Sequence, residues 1–321
     1  MFDRICAELR LGALTSPPVR LSGGFTHRMF RLDTTTGAYA VKLLNPEIMR
    51  RPDAMDNYRT AEHFEALLEQ ENLPILPAKM IGGRKMQCVD GQYLYVFDYF
   101  AGRALQPEEI TPFHCARVGE TLARIHGTLP LRHPPQSGEP AAEIPWNELA
   151  ANLLDPSEMR GEGMLLQAAL PLLEDLTSAA RDAARRLPPM EALCHNDMDP
   201  KNVLWQGDDF RVIDLECLGF ADPRQELIDL AIAWGGEDEA CFKAFAEAYR
   251  TADGIPLTDA SLVHDSRRND LDWLAYNARR ALFDDPEERR VAQMQIRATL
   301  MKLQADAAAR ETRLQWLYEL A

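Results

Sequence analysis

Apolar and polar positions alternate with a period of two through residues 19–22, 28–33 and 39–44, a pattern that predicts an antiparallel strand–turn–strand meander behind a short helix over 2–11. A helix is expected from about 53 to 70, then short strands around 78–81 and 85–89. An apolar strand from 93 follows and runs into a turn at Gly102. Val118, Leu122, Ile125 and Leu129 recur at steps of three and four, which marks 111–128 as an amphipathic helix with His126 as a packing residue. Five prolines in the sixteen residues 130–145 make that segment a loop. Helices are then expected over 146–154 and 163–186, and, beyond a central stretch of short strands, over 239–250, 258–283 and 287–320, with Asp284, Asp285 and Pro286 breaking the last two apart.

The central stretch interrupts these periodicities with polar side chains. Between Leu193 and the apolar Val203, Leu204 and Trp205 lie His195, Asn196, Asp197, Met198, Asp199, Pro200, Lys201 and Asn202; after a turn, Val212 and Ile213 end at Asp214, Leu215 and Glu216. Two carboxylates and a carboxamide therefore converge at one strand–loop edge. Asp197, Asn202 and Asp214 are oxygen donors suited to Mg²⁺, a hard ion that takes few protein ligands and completes its shell with water and phosphate oxygens. One acid is left to receive a proton. An Asp that orients an acceptor hydroxyl, beside an Asn and an Asp that hold metal, is the division of labour in kinase-type phosphoryl transfer. Turn capping alone would also use His195, Asp197 and Asn202, but the following strand and its terminal acid weigh against so bland a role.

The spacing H-x-D-x-x-x-x-N followed by I-D resembles the Brenner-type loop of the aminoglycoside phosphotransferase and choline kinase family, whose members share a protein-kinase-like fold. The resemblance implies Asp197 as catalytic base and Asn202 and Asp214 as metal ligands, with ATP and Mg²⁺ as cofactors. Further on, Asp222, Pro223 and Glu226 resemble the family's D-P-x-x-D-L-A element, with Asp229 as the alternative second acid; both are read as bracing the loop from behind.

Lys42 stands on an apolar strand, and its ammonium must meet anions there, since burying it unpaired costs several kcal/mol. The helix from about 53 offers Glu62 and Glu65, three residues apart; the resemblance makes Glu62 the partner and leaves Glu65 as the fallback. A sheet edge facing water is the other placement for Lys42. Gly23 and Gly24, between the first two strands, let the backbone turn sharply and aim amides at a phosphate, although an ordinary hairpin gives the same signal. Many family members carry Asn where this chain has His27. The strand from 93 to Gly102 looks like a kinase hinge: the resemblance makes Phe97 the gatekeeper and pairs the backbone of Asp98 and Phe100 with the adenine edge.

Composition narrows the classes. With 321 residues, 46% of them hydrophobic, the chain can bury a sizeable core and is expected to form two lobes. A net charge of −15 argues against a nucleic-acid partner and suits a cationic substrate, though solubility alone would account for it. Cys6, Cys88, Cys115, Cys194, Cys217 and Cys241 are scattered without a C-x-x-C pair, which predicts a reduced compartment and no structural metal. Neither a secretory leader nor a spanning apolar run is evident, so a cytoplasmic protein without a membrane partner is expected. The oligomeric state stays open.

The resemblance implies an α+β, two-lobed protein-kinase-like fold: a small antiparallel sheet lobe over 1–100, a hinge at about 97–102 and a larger, mostly helical lobe over 103–321. It also implies transfer of the ATP γ-phosphoryl group to a hydroxyl of a small molecule, with an aminoglycoside-like acceptor favoured over choline, ethanolamine or another metabolite. Leu215-Glu216 after Asp214 instead of Phe-Gly, and the absence of an A-P-E element, favour a small-molecule acceptor. A nucleotide-binding pseudokinase is the alternative of another class, and the intact Lys42, Asp197, Asn202 and Asp214 set speaks against it. Positive charge on the acceptor is expected from Trp234, Glu237, Asp238, Glu239, Asp270, Asp272, Trp273 and Tyr276, on helices where the resembling family builds its acceptor pocket. The competing reading pairs those acids with Arg279 and Arg280.

Overall fold

A computed structural model of the chain describes residues 1–21, 27–135, 143–155 and 157–320. These form two compact units, one built from Met1–Pro130, Ala192–Ala221 and Ala248–Gly254, the other from Leu131–Glu191, Asp222–Glu247 and Ile255–Ala321.

In the first unit, helix α1 (Phe2–Glu8) precedes a five-stranded antiparallel sheet. Its strands are β1 (Val19–Arg20), β2 (Arg28–Thr34), β3 (Gly37–Leu43), β4 (Gln87–Val89) and β5 (Gln92–Asp98), in the order β1-β2-β3-β5-β4. Helices α2 (Pro46–Met49) and α3 (Ala54–Gln70) lie between β3 and β4 in sequence. Period-two alternation decides what each face carries. Val41 and Leu43 join Ile5, Leu32, Leu94 and Val96 in one buried cluster, while Lys42 points to the other face beside Tyr95, its cross-strand neighbour. There Tyr58 of α3 packs against Tyr95, ring centroids 6.0 Å apart. Buried Ala54, Tyr58, Ala61, Glu65 and Leu68 recur at three- and four-residue steps, the stripe that seats α3.

The expected strand over 78–81 does not form. Pro74 and Pro77 supply no amide to a ladder, and β4 occupies the start of this edge of β5, so the segment keeps one bond to it, from Lys79 N–H to the Val96 carbonyl at 2.7 Å. Helix α4 (Pro112–Gly127) opens with Thr111 in a capping box with His114 and buries Val118, Leu122 and Ile125 of the expected stripe together with Cys115, whereas Leu129 falls beyond its end and is only partly buried. His126 is buried and bonds the Tyr249 hydroxyl at 2.7 Å. The central stretch supplies two small ribbons: β6 (Ala192–Cys194) pairs with β9 (Gly219–Ala221), and β7 (Val203–Gln206) forms a hairpin with β8 (Asp209–Val212).

The second unit is helical, with α5 (Trp146–Leu154), α6 (Arg160–Arg186), α7 (Pro223–Gly235), most of α8 (Glu239–Thr251), α9 (Ala260–Ser266), α10 (Asn269–Arg280) and α11 (Pro286–Leu320). Its core joins Leu153, Leu166 and Leu173 to Leu274, Ala278, Ala292 and Ile296. The single helix expected over 258–283 is broken at Arg267, which is extended (φ −65°, ψ 131°). This break turns the buried guanidinium onto Asp229 at 2.9 Å and Asp306 at 2.6 Å, and a charge so deeply buried needs such partners more than the chain needs helical continuity. Among the described residues no helix is long and apolar enough to cross a membrane.

Candidate active site

The candidate catalytic residues all lie in the first unit, where a buried histidine fixes the polar loop after β6. His195 Nδ1 accepts the Asp197 N–H at 3.2 Å, which leaves its proton on Nε2, in reach of the Ile213 carbonyl at 3.2 Å. One imidazole thus ties the loop to the end of β8. Asn196 adopts the left-handed region (φ 66°) and donates its side-chain amide to the Cys217 carbonyl at 2.8 Å. Asn202 Nδ2 donates to both the main-chain carbonyl and Oδ2 of Asp197, each at 2.8 Å. With its nitrogen so placed, Asn202 presents its amide oxygen to any cation.

Lys201 approaches the same carboxylate, Nζ lying 2.6 Å from Asp197 Oδ1 and 3.1 Å from Asp199 Oδ2. Burial pushes the Asp197 carboxyl above its ordinary value, and the opposing pull of Lys201 recovers only part of that shift. Sequence reasoning assigned Lys201 no role, although its position four residues from Asp197 was a usable signal.

Asp214 also adopts a left-handed conformation (φ 63°, ψ 52°) and opens a single 3₁₀ turn, Leu215–Cys217, that carries Glu216. Lys42 Nζ sits 2.7 Å from Asp214 Oδ1 and 2.7 Å from Glu216 Oε1. Burial works to discharge the ammonium, but the Glu216 and Asp214 carboxylates outweigh it and hold Lys42 above the usual lysine range. Burial likewise opposes the Asp214 carboxylate, and Lys42 reverses it, holding Asp214 below its ordinary value. The other oxygen of Glu216 lies 3.3 Å from His27 Nε2, which also meets the Tyr58 hydroxyl at 3.1 Å, while His27 Nδ1 accepts the Asn45 N–H at 3.0 Å. The departure from Asn at position 27 thus places an imidazole where α3 meets the Lys42 cluster.

The expected pairing of Lys42 with Glu62 or Glu65 is corrected by this geometry. Glu62 Oε1 accepts the Met86 N–H at 3.0 Å and the Tyr95 hydroxyl at 2.9 Å; these two donors from the sheet draw it away from the ammonium. Glu65 is committed to Ala78 N–H and to Lys85, both at 2.7 Å. Glu216, two residues beyond Asp214, was the acid that sequence reasoning missed.

Donor chemistry fits a divalent cation. Asp214 and Glu216 place two carboxylates on the one ammonium of Lys42, and Glu216 Oε1 is buried without an aligned hydrogen bond despite its proximity to Lys42. Asn202 and Asp214 are the two oxygen groups that would hold such an ion.

The hinge sequence ends β5. Tyr99 N–H bonds the Ala38 carbonyl at 3.0 Å, so alternation turns the backbone of Asp98 and Phe100 to the opposite edge, the one at which Val96 accepts Lys79. That is the edge expected to read adenine. Phe97 is half-buried and packs against Tyr95, and the Asp98 side chain pairs with Lys79 at 2.7 Å. Gly102 permits the next step: a Cβ there would fall 2.4 Å from the Phe100 ring and 2.9 Å from the Trp205 carbonyl, and Arg103 and Trp205 exchange backbone bonds at 3.0 and 2.8 Å. Gly23 and Gly24 lie outside the described residues.

A model of the phosphotransferase enzyme family matches residues 19–260. The chain belongs to that family. The match spans β1 to the start of α9 and takes in Lys42, the Asp197–Asn202 loop and Asp214, so this phosphotransferase is a small-molecule kinase with the two-lobed α+β protein-kinase-like fold. A homoserine kinase of Bradyrhizobium sp. (strain ORS 278) is 28% identical over 252 residues, covering 75% of this chain and 72% of the relative. In fold, the phosphotransferase is similar to a spectinomycin phosphotransferase crystallised with ADP and spectinomycin (TM-score 0.70, 14% identity, 94% of this chain and 98% of the other). It is also similar to a choline/ethanolamine kinase family protein from Mesorhizobium loti (TM-score 0.59, 21% identity, 96% and 98%).

In the second unit, Asp222 caps α7 by accepting the Arg224 N–H at 3.0 Å, Glu226 is buried, and Asp229 joins Arg267 and the Asn269 amide, the latter at 3.0 Å. The acidic residues expected to hold a cation are largely engaged: Asp270 with Lys302 at 2.9 Å, Asp272 with Arg268 at 3.0 Å and Glu239 with Lys243 at 2.6 Å. Their counter-ions are therefore neither Arg279 nor Arg280, the latter pairing with Glu288 at 2.5 Å. Asp238 caps α8 through the Cys241 N–H at 2.9 Å, and Trp234 is buried. Trp273 and Tyr276 remain exposed and stacked, centroids 5.5 Å apart.

Proposed function

We propose that this phosphotransferase moves the γ-phosphoryl group of ATP to a hydroxyl of a small aminated molecule. The observation that carries this reading is the Asp197–Asn202 hydrogen bond at 2.8 Å, which aims a partly buried carboxylate while Lys42 and Asp214 stand beside it as a charge pair. Asp197 would accept the proton of the acceptor hydroxyl as its oxygen bonds to the γ-phosphorus and the bond to the β–γ bridging oxygen breaks, releasing ADP. Asn202 and Asp214 would hold Mg²⁺, which when bound screens phosphate charge. Lys42 would orient the phosphates, and the backbone of Asp98 and Phe100 would read the adenine. In this reading residues 1–100 form the nucleotide lobe, 97–102 the hinge and 103–321 the acceptor lobe. Most of the rate enhancement would come from alignment and electrostatics.

An amine on the acceptor is supported by the names of the relatives, since homoserine, spectinomycin, choline and ethanolamine all carry amine nitrogen, and by the net charge of −15. The exposed Trp273–Tyr276 stack offers ring faces that attract a cation by roughly 0.5–2 kcal/mol. A phosphorylation assay with ATP and Mg²⁺ over aminoglycosides, homoserine, choline and ethanolamine, each beside an uncharged isostere, tests the reading. Amines should win by about 1–3 kcal/mol in kcat/KM at low salt, by a margin that shrinks at high salt. Equal rates at both would remove the cationic acceptor, and no turnover with any acceptor would favour a pseudokinase.

A further inference from the structure

Arg117, Arg124 and Arg211 line one cavity of about 530 Å³ in the first unit, walled by the turn after α3, one face of α4 and the end of β8. Three guanidiniums around one hollow are a local reversal in a chain of net charge −15. Their charges are only partly spoken for. Arg124 donates to the Glu71 carbonyl at 2.9 Å, and among the described residues no carboxylate stands within ion-pairing distance of it. Arg117 has Glu120 at 3.5 Å, a loose pair between two half-exposed side chains that contributes little. Arg211 bonds Asp209 at 2.5 Å and lies over the Phe100 ring of the hinge sequence at 5.3 Å, so its guanidinium is held in place. Glu69, the other acid on the lining, is engaged by buried Lys85.

Guanidinium groups present several N–H donors in a planar fork that matches carboxylate and phosphate oxygens two at a time. A cavity with three of them, one of which has no acidic partner among the described residues, is chemically suited to an anion with more than one charged group. Its volume suits a molecule of metabolite size. The walls are also braced: Val212 N–H bonds the Pro74 carbonyl at 2.7 Å and Leu76 N–H bonds the Val212 carbonyl at 2.9 Å, joining the turn to β8. The candidate catalytic residues contribute nothing to this lining.

We propose that this cavity is a second ligand site, for a compact polyanion bearing two or more phosphate or carboxylate groups. Glu120 tempers its affinity by placing a negative charge at the lining.

Isothermal titration of the full chain without divalent cations, using tricarballylate as the carboxylate probe and inorganic pyrophosphate as the phosphate probe, tests this. At least one probe should bind; whichever binds more tightly identifies the anion class. Arg117→Gln with Arg124→Gln should weaken that probe by about tenfold or more. Glu120→Gln should tighten it by about threefold, a gain that misfolding cannot mimic. Lys42→Ala should leave it unchanged. The proposal is overturned if neither probe binds, if Glu120→Gln fails to tighten binding, or if binding disappears in Lys42→Ala and survives in the arginine variants, which would place the anion at the nucleotide site.

Discussion

Replacing Asp197 by Asn is expected to lower kcat by about 10²–10⁴-fold while nucleotide affinity stays close to that of the parent. The substitution preserves size and leaves an oxygen to accept from Asn202 Nδ2, but it removes the group that takes the proton. Single-turnover kinetics report the chemical step and titration calorimetry reports nucleotide binding; near-parental turnover would remove Asp197 from the role of base. The same residue sets a pH dependence. Burial raises its carboxyl, so activity should fall on the acid side at a higher pH than an ordinary Asp would give, because the working form is the deprotonated one. Lys201 favours that charged form. Lys201→Gln should therefore shift the acid limb further up.

The second large effect belongs to Lys42. Lys42→Ala leaves two partly buried carboxylates without their cation, and should cost about 2–3 kcal/mol of stability, below the full value for a buried pair because Asp214 is partly open to solvent, together with most of the turnover. The signs of the two titrations fix where the stability loss appears. The raised Lys42 contributes fully below the ordinary lysine value and is lost only as pH climbs through its native value; the lowered Asp214 contributes above the carboxylate range and is lost as pH falls through its native value. The gap between parent and variant should hence be widest around neutrality and narrow in acid. Glu216→Gln should resemble Lys42→Ala, whereas Glu62→Gln keeps an acceptor oxygen for Met86 and Tyr95 and should be milder in both stability and turnover. Denaturant titration and steady-state kinetics on the three variants rank them; a Glu62 variant as damaged as the lysine variant would restore the pairing first expected.

What was legible in the sequence was local. His195, Asp197 and Asn202 are recognisable because their spacing is a few residues within one loop, and the structure joins them through bonds of that same range, while Asp214 is marked by its place at the end of the following strand and is tied by its side chain to distant Lys42. The α4 stripe and the faces of β3 follow from periodicity in the same way. The partner of Lys42 was not legible, because it depends on which of several acids a distant turn delivers and on Tyr95 and Met86 competing for Glu62. The break at Arg267 escaped for a related reason: helix period says nothing of a buried guanidinium that must reach Asp229 and Asp306 from separate helices. Nor does an unformed strand at 78–81 show in alternation when the edge it would join is already occupied.

The left-handed backbone of Asp214 also shapes how this enzyme can decay. At φ 63° most L-residues pay roughly 1–2 kcal/mol, while Asn and Gly pay least. Codons for Asn and Gly are each a single nucleotide change from those for Asp. The replacements within easiest mutational reach are thus among those that the backbone tolerates best, so what they cost the fold comes from the lost carboxylate, one of the two that hold the Lys42 ammonium, and not from the main chain. At this codon the backbone therefore sets no barrier to drift, and selection at the position would act on the carboxylate alone, through the charge that it sets against Lys42.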